Sequence, residues 1–313
     1  MDNLVFALNA TIPLFLLIAL GYFLKRIHIL TEGFLTASNK LNFKVTLPFL
    51  LFTDLATANF RETFDLKFLL FCAGATTIGF FAIWFLTKRL MKDKFSVGEF
   101  VQASYRSSAA VMGLALIQNI YGSAGMGSMM VLASVPLYNI YAVLVLQTES
   151  QDGKKGGNIK KTLIGIVTNP IIIAIVLGFV SSLIGIQYPK IISTALEYVA
   201  RIATPLALIC IGGDFDFGNA LKSVKKSSVG ALLKLIVLPL VFIPVAVLLG
   251  FETEKLVAIT VMLAGPTTPS CFIMAKQYGY EGTITSSVVV LTTLFSSVTL
   301  TIFVFILRSL GYI

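Results

Sequence analysis

The sequence predicts an all-α membrane protein of ten transmembrane helices, arranged as two inverted repeats of five helices each. Three observations support this prediction: an apolar composition, charge-free runs long enough to span a bilayer, and an internal repeat at a fixed spacing. The 313-residue chain is 57% hydrophobic and 12% charged, whereas about 25% of the residues of a typical soluble domain are charged. A soluble protein of this size could not bury so much apolar surface. The composition therefore excludes a soluble enzyme and a nucleic-acid-binding protein.

A helix needs about 20 predominantly apolar residues to cross the hydrocarbon core of a bilayer, and runs of that length recur along the chain. These runs are continuously apolar rather than alternating, which excludes a transmembrane β-barrel. The predicted spans one to ten cover residues 3–24, 35–57, 66–87, 98–119, 126–147, 162–184, 191–213, 229–250, 254–275 and 283–307.

The loops between these spans predict the orientation of the chain. Lysine and arginine are concentrated in the loops on one side, with 15 residues against 5 on the other. Because basic loops stay in the cytoplasm, we expect a multi-pass protein of the cell (inner) membrane with both termini outside the cytoplasm. Residues 1–147 are the predicted first five-helix repeat, 148–161 a cytoplasmic linker, and 162–313 the second five-helix repeat.

The two halves repeat each other at an offset of 157 residues without gaps. Proline, glycine and a Tyr-Gly pair recur in register, whereas chance matching would mainly align the common apolar residues. Because each half has an odd number of spans, the second must be inverted in the membrane, an arrangement found in secondary transporters. The matched positions are Pro13 with Pro170, Gly21 with Gly178, Pro48 with Pro205, Phe60 with Phe217, Tyr121-Gly122 with Tyr278-Gly279, and Gly125 with Gly282.

Spans four and nine hold corresponding positions in the two halves and are predicted to be broken crossover helices. Pro266 and Pro269 lack backbone N–H donors, so the helix must open near them, and the repeat places the equivalent break at Ser108–Gly113. If the breaks cross near the membrane midplane, the half-helix N-termini there attract an anion. The predicted substrate-binding residues are Arg106, Ser107, Ser108, Gly113, Asn139, Gly265, Pro266, Thr267, Thr268, Pro269 and Ser270.

Charged residues within spans are treated as functional by default. Arg106 lies just before the first break, where it either serves substrate binding or gating, or hydrogen-bonds a freed carbonyl. Lys44 and Arg201 are related by the repeat, and they either snorkel to the membrane surfaces or belong to a gate. The predicted gating and scaffold residues are Lys44, Pro48, Leu51, Arg201 and Pro205.

The acidic residues disfavour sodium–proton exchange. Asp54 lies near the outer end of span two, and no pair of acidic residues falls at mid-membrane. Basic residues and helix N-termini without deep carboxylates favour an anionic substrate instead. The chain has a single histidine, His28, and its three cysteines lie far apart in apolar runs. We therefore expect no metal site, no cofactor and no catalytic residues.

The sequence resembles the auxin efflux carrier family, whose bacterial members include predicted malate and malonate permeases. Ala203–Gly213 of span seven, Ala264–Gly279 of span nine and the two Tyr-Gly pairs carry the resemblance. It implies a fold like that of bile-acid and sodium–proton transporters, with spans 1, 2, 6 and 7 as a scaffold. Spans 3–5 and 8–10 would form a mobile transport domain that moves in an elevator-like way, and the protein would be a homodimer.

One departure from the family bears on the substrate. The first crossover of the family often reads Gly-Asn-x-Gly, whereas Ser107 and Ser108 stand at the beginning of this motif. Ser108 replaces an asparagine that binds the substrate carboxylate in the plant carriers. This replacement suggests a different or smaller anion.

The predicted function is secondary active transport of a small organic anion, with a carboxylate favoured and H+ or Na+ as the coupling ion. Two alternatives stay open: an anion channel, and a sodium-coupled symporter of the bile-acid type. The expected partners are the anion, the lipid bilayer and a second copy of the chain, with no nucleic acid. The hydroxyl groups that would surround sodium in the second alternative belong to Thr267, Thr268, Ser296 and Ser297.

The orientation can be tested with single cysteines in a background that lacks Cys72, Cys210 and Cys271. In intact cells, Asp2→Cys should react with a membrane-impermeant thiol reagent. Lys155→Cys should react only after the cells are opened, because the basic linker is predicted to be cytoplasmic. Strong labelling at position 155 without labelling at position 2 would contradict the predicted orientation.

Overall fold

The computed structural model describes residues 2–57, 64–121, 125–150 and 164–313, and within these ranges the protein is helical without any strand. Most of the predicted linker, together with Phe60 and Gly122 of the repeat, lies outside the described residues. The helices are α1 (Asp2–Arg26), α2 (Glu32–Leu41), α3 (Leu47–Ala56), α4 (Leu66–Leu90), α5 (Val97–Tyr105), α6 (Leu114–Tyr121), α7 (Gly125–Glu149), α8 (Pro170–Ile184), α9 (Lys190–Asp214), α10 (Phe217–Leu232), α11 (Leu238–Leu248), α12 (Thr253–Ala264), α13 (Ser270–Gln277) and α14 (Thr283–Ser309).

Five helical stretches of the described chain are long and apolar enough to cross a membrane. Large apolar side chains such as Leu70, Ile78 and Phe85 of α4 point outward, where lipid rather than water would solvate them. The prediction of an all-α membrane protein is thereby confirmed. The five stretches are Leu66–Leu90, Gly125–Glu149, Lys190–Asp214, Gly218–Leu248 and Thr283–Ser309.

Two π-helical turns follow from prolines at the start of the next helix. The turn Asn42–Thr46 precedes Pro48 of α3, and the turn Leu233–Val237 precedes Pro239 of α11. Because proline cannot donate to the carbonyl four residues earlier, the helical ladder is interrupted and widens there. The second turn contains Lys234, whose side chain is completely buried.

The helix bounds recur at the spacing of the sequence repeat. Shifting α6 by 157 residues gives 271–278, one residue from the observed bounds of α13. Shifting α7 gives 282–306, which begins one residue before α14. The spacing read from scattered proline and glycine residues therefore also describes where these two helices begin.

Two close helix contacts are related by the same spacing. Gly21 of α1 lies against the backbone of Ile209 in α9, and a Cβ atom at Gly21 would come within 2.2 Å of the Ile209 carbonyl oxygen. Gly178 of α8 lies in the same way against Phe52 of α3, where the corresponding distance would be 2.8 Å. Phe52 and Ile209 are themselves 157 residues apart. Paired contacts of this kind are typical of a two-fold relation between the halves.

Helices α5 and α12 each have a glutamate in their first turn, and each glutamate caps the last helix of the other half of the chain. Glu99 of α5 accepts hydrogen bonds from the backbone N–H (2.9 Å) and the hydroxyl (3.0 Å) of Thr285 in α14. Glu254 of α12 accepts a bond of 2.6 Å from the backbone N–H of Met126 in α7. Carboxylates are favoured at helix N-termini, where free N–H groups and the helix dipole are positive. These hydrogen bonds hold the N-terminal ends of α5 and α12, the two helices that end at the breaks described below.

Two ion pairs join helices α10 and α12 of the second half to the first half of the chain. Lys226 Nζ of α10 lies 2.8 Å from Asp93 Oδ2, and Lys255 Nζ of α12 lies 2.5 Å from Asp65 Oδ2. Lys226 and the Ser96 hydroxyl lower the pKa of Asp93 to about 2. Exposed pairs of this kind contribute about 0–1 kcal/mol, so they position the loops more than they stabilise the fold.

The paired glycine contacts predict a matched loss of stability. Gly21→Ala and Gly178→Ala should each lower the apparent melting temperature of the detergent-purified protein, because forcing a methyl group into a packed contact costs about 1–3 kcal/mol. Gly74→Ala in α4 is the control, since its Cβ atom would meet nothing within 4 Å. The interpretation is wrong if Gly21→Ala and Gly178→Ala melt no lower than Gly74→Ala.

Candidate functional site

The structure breaks both predicted crossover helices near their centres. The first break covers 106–108 between α5 and the π-helical turn Ala109–Gly113. The second covers 265–269 between α12 and α13, where Pro266 and Pro269 cannot continue the hydrogen-bond ladder. The first break contains no proline, and Ser107, Ser108, Gly113 and the repeat predicted it at Ser108–Gly113. The open residues begin two positions earlier, at Arg106, and most of the predicted segment is the π-helical turn.

The two breaks contact each other directly. The backbone N–H of Ser108 donates to the carbonyl oxygen of Pro266 at 2.8 Å. The Thr267 hydroxyl donates to the Ala103 carbonyl at 2.8 Å, while the Thr267 N–H donates to the Thr292 hydroxyl at 3.0 Å. Open backbone inside a membrane protein must find such partners within the protein or in a water-filled cavity. The crossing is thus held by the groups that the breaks release.

Lys234 is a residue of this crossing to which the sequence analysis gave no role. Its buried ammonium donates to the carbonyl oxygens of Met262, at 3.2 Å, and Leu263. These carbonyls belong to the last turn of α12, which carries the partial negative charge of the helix dipole. The sequence could have identified Lys234 as a candidate because it is a lysine within the apolar run 229–250, and charges inside spans are functional candidates by default.

Arg106 lies at the first break and connects three helices. Its guanidinium donates to Asn139 Oδ1 of α7 at 2.9 Å and to Ser270 Oγ of α13 at 3.0 Å. A third contact of 2.9 Å reaches the sulfur of Met274. Within the described ranges no carboxylate lies within 4 Å of this guanidinium, and Nε has no hydrogen-bond partner. Arg106 is only 2% exposed, so a permanent positive charge is buried without a bonded anion.

A pocket opens beside this arginine, between the breaks and the helices α3, α8 and α9. Its cavity volume is about 50 Å³, room for a few water molecules. Eight of the predicted site and gating residues line it: Leu51, Arg106, Ser107, Ser108, Asn139, Thr268, Pro269 and Ser270. The other lining residues are Leu47, Leu50, Asp54, Ala109, Ala110, Val135, Tyr138, Ile171, Ala203, Thr204 and Ala207.

Four predicted binding residues lie outside the pocket but shape it. A Cβ atom at Gly265 would come within 2.7 Å of Ser107 Oγ, so this glycine leaves room for the serine. Gly113 packs against Met130 and Val261 of neighbouring helices. Pro266 and Thr267 join the two breaks through the bonds given above. These residues support the crossing, and the structure does not place them in the lining.

Lys44, Arg201, Pro48 and Pro205 also lie outside the pocket lining. Lys44 is exposed, and the Arg201 side chain is 75% exposed and pairs with Glu197 at 3.3 Å, one turn away. This exposure fits the alternative in which Lys44 and Arg201 snorkel to the membrane surfaces. Of the predicted gating and scaffold residues, Leu51 is the one that reaches the pocket.

The hydroxyls considered for a sodium cage are engaged in other hydrogen bonds. Ser296 and Ser297 donate to the carbonyls of Thr293 and Leu294 in their own helix. The Thr268 hydroxyl lies 3.2 Å from that of Ser270. The hydroxyl of Thr267 bonds α5, as described above.

Sequence comparisons identify the family to which the chain belongs. The family model described as "Membrane transport protein", which represents the auxin efflux carrier family, matches residues 6–304. The chain belongs to this family. Its relatives are named as transporters, so the auxin efflux carrier family is a family of membrane transporters and not of enzymes. The family resemblance inferred from the sequence is confirmed.

The similar members of the auxin efflux carrier family align over almost their whole length. The "Uncharacterized transporter YfdV" of Escherichia coli strain K12 is 26% identical over 302 residues, which cover 92% of this chain and 93% of the relative. An "Uncharacterized transporter" of Methanothermobacter thermautotrophicus is 24% identical, covering 93% and 95%. A "Putative malonate transporter" of Rhizobium meliloti is 26% identical, covering 95% of each chain.

Proposed function

We propose that this auxin efflux carrier family member is a secondary active transporter of a small organic anion, a carboxylate, which binds where the two helix breaks meet. The observation that carries the proposal is the buried guanidinium of Arg106. It lines the pocket, and no carboxylate of the described chain bonds it. An isolated buried charge is costly, and a bound anion would compensate it.

A carboxylate suits the groups that surround the pocket. Guanidinium binds carboxylates through two parallel, charge-assisted hydrogen bonds, and the Nε donor of Arg106 is unused. Ser108 and Thr268 add hydroxyl groups to the lining. The name of the Rhizobium meliloti relative, a malonate transporter, makes a short dicarboxylate the first substrate to test.

The proposed topology has ten spans in two inverted repeats, with both termini outside the cytoplasm. The recurring helix bounds and the paired contacts of Gly21 and Gly178 support a two-fold relation between the halves. The 15-to-5 distribution of basic residues supports the orientation. Two inverted copies of one unit can exchange conformations, which gives inward-open and outward-open states of similar energy.

The position of the pocket supports an elevator-like movement. Its lining comes partly from α3, α8 and α9, which belong to the proposed scaffold of spans 1, 2, 6 and 7. The rest comes from α7, the two breaks and the residues that directly follow each break, which belong to the proposed transport domain of spans 3–5 and 8–10. A cavity of about 50 Å³ fits water rather than an organic anion, so substrate entry requires the two parts to separate. We also propose a homodimer.

Asp54 suggests H+ as the coupling ion. It is the acidic residue among the described pocket-lining residues, and it lies on the proposed scaffold in α3. Its carboxylate would repel an anion bound at Arg106. A proton taken up by Asp54 removes this repulsion, so anion binding and protonation favour each other.

The anion site predicts specific effects of substitution. In liposomes containing the purified protein, Arg106→Ala should abolish counterflow of labelled malonate, and Arg106→Lys should recover part of it. Ser108→Ala and Thr268→Val should each weaken binding roughly 10- to 150-fold, because a hydrogen bond to a charged group contributes about 1.5–3 kcal/mol. Binding is measured separately as the rise in melting temperature on adding malonate.

Arg201→Ala is the matched control, since this arginine is exposed and lies outside the pocket. It should leave both counterflow and the malonate-induced rise unchanged. Equal transport of neutral or cationic solutes would refute the anion assignment. Undiminished counterflow in Arg106→Ala would place the site elsewhere, and currents without saturable counterflow would indicate a channel.

The proton proposal predicts a pH dependence that one substitution removes. Malonate uptake by the wild-type protein should rise as the external pH falls, because protonated Asp54 no longer repels the anion. The Asp54→Asn protein should transport malonate at every pH, and its uptake should change with pH only as the protonation of malonate itself changes. The proton assignment is wrong if Asp54→Asn keeps the wild-type pH profile.

A further inference from the structure

The broken end of α12 is bonded by a buried lysine side chain that the anion site does not use. Lys234 is 0% exposed, and its ammonium donates to the carbonyl oxygens of Met262 and Leu263. Within the described part of the chain, no carboxylate lies within 4 Å of this ammonium. The hydrogen-bond acceptors of this lysine are therefore backbone oxygens rather than an acidic side chain.

These oxygens are free because of the break. The last carbonyls of a helix have no intrahelical donor, and Gly265 and Pro266 end α12 in the protein interior. The N–H of Gly265 still bonds the Val261 carbonyl at 2.9 Å, which leaves the next two carbonyls to Lys234. Tyr138 OH makes a further, longer contact of 3.5 Å with Met262 O.

Carbonyls at such a half-helix C-terminus are ligands for an alkali cation. In discontinuous transporter helices, unwound carbonyls and half-helix C-terminal ends coordinate Na+. We propose that the Lys234 ammonium is a tethered cation that takes the place of a coupling metal ion at this end, so that the protein works without Na+. The part that concerns transport rests on the proposed function, whereas the part that concerns cation binding does not.

The first half of the repeat has no lysine at the corresponding position. Thr77 stands 157 residues before Lys234, and its hydroxyl bonds Ala73 O at 2.7 Å and Tyr141 OH at 2.9 Å. The last turn of α5 is instead satisfied by the Thr267 hydroxyl on Ala103 O. The repeat thus has one crossover end with a neutral donor and one with a cation. This difference between the two crossover ends is expected if the Lys234 side chain supplies one monovalent cation to the protein.

The wild-type protein gives the first test. Its melting temperature and its malonate uptake should be the same, within twofold for uptake, in matched NaCl, KCl and choline chloride. A melting temperature that rises with NaCl alone, or an uptake more than tenfold greater in NaCl, would overturn the proposal. The melting measurement needs no substrate, so it decides the cation question even if malonate is not transported.

Removal of the Lys234 side chain gives the second test. Lys234→Ala should melt lower than the wild type and lose at least tenfold in uptake, and propylammonium, which matches the missing side chain, should restore part of both. Na+ should likewise raise its melting temperature, since the two carbonyls are again open to a cation. Lys225→Ala, at an exposed lysine of α10 outside the pocket, should behave as the wild type.

The outcomes separate a tethered cation from a simple structural side chain. Lys234→Ala with wild-type stability and uptake would overturn the proposal. So would a purified, folded Lys234→Ala protein whose losses neither propylammonium nor Na+ reduces. If Lys234→Ala does not fold, the wild-type comparison in the three salts remains decisive. Rescue of the melting temperature without any malonate transport would support the tethered cation and contradict the proposed substrate.

Discussion

The site depends on one constraint, which is that backbone groups freed by broken helices must find partners inside the protein. Pro266 and Pro269 end one helix and start another in the interior, where lipid offers no hydrogen bonds. The structure satisfies the freed groups across the crossing, through the bond from Ser108 to Pro266 and the two bonds of Thr267. A substitution that disturbs one break must therefore disturb the other, and the pocket that lies between them.

Two buried basic residues lie beside the breaks and bond different kinds of partner. The Lys234 side chain donates hydrogen bonds to the carbonyls of Met262 and Leu263, so its partners are backbone oxygens. Arg106 bonds the neutral side chains of Asn139 and Ser270 and keeps an unused donor beside the pocket. Its charge is therefore available to a ligand, and because of this difference we propose the anion site at Arg106 and the cation-like role for Lys234.

Much of this could be predicted from the sequence, because proline acts locally and the repeat carries its effect to the other half. Pro266 and Pro269 marked the second break, and the offset of 157 residues predicted the first, which has no proline of its own, to within two residues of where it begins. The partners of Arg106 and the burial of Lys234 could not be predicted in this way, because they depend on how helices distant in sequence pack. Continuously apolar spans also give little periodicity to show which face is buried, and for that reason the sequence did not reveal that Lys44 and Arg201 are exposed while Asp54 lines the pocket. The ten-span count and the inversion remain predictions supported by the repeated helix bounds.

The central claim is that a carboxylate binds at Arg106 where the two breaks meet. The most direct measurement is a structure of the protein with bromomalonate, in which anomalous scattering locates the bromine without reference to the expected pose. We predict a bromine peak in the pocket between 106–108 and 265–269, with a carboxylate oxygen within hydrogen-bond distance of the Arg106 guanidinium. A well-occupied peak at another position, with the pocket beside Arg106 holding only water, would contradict the claim.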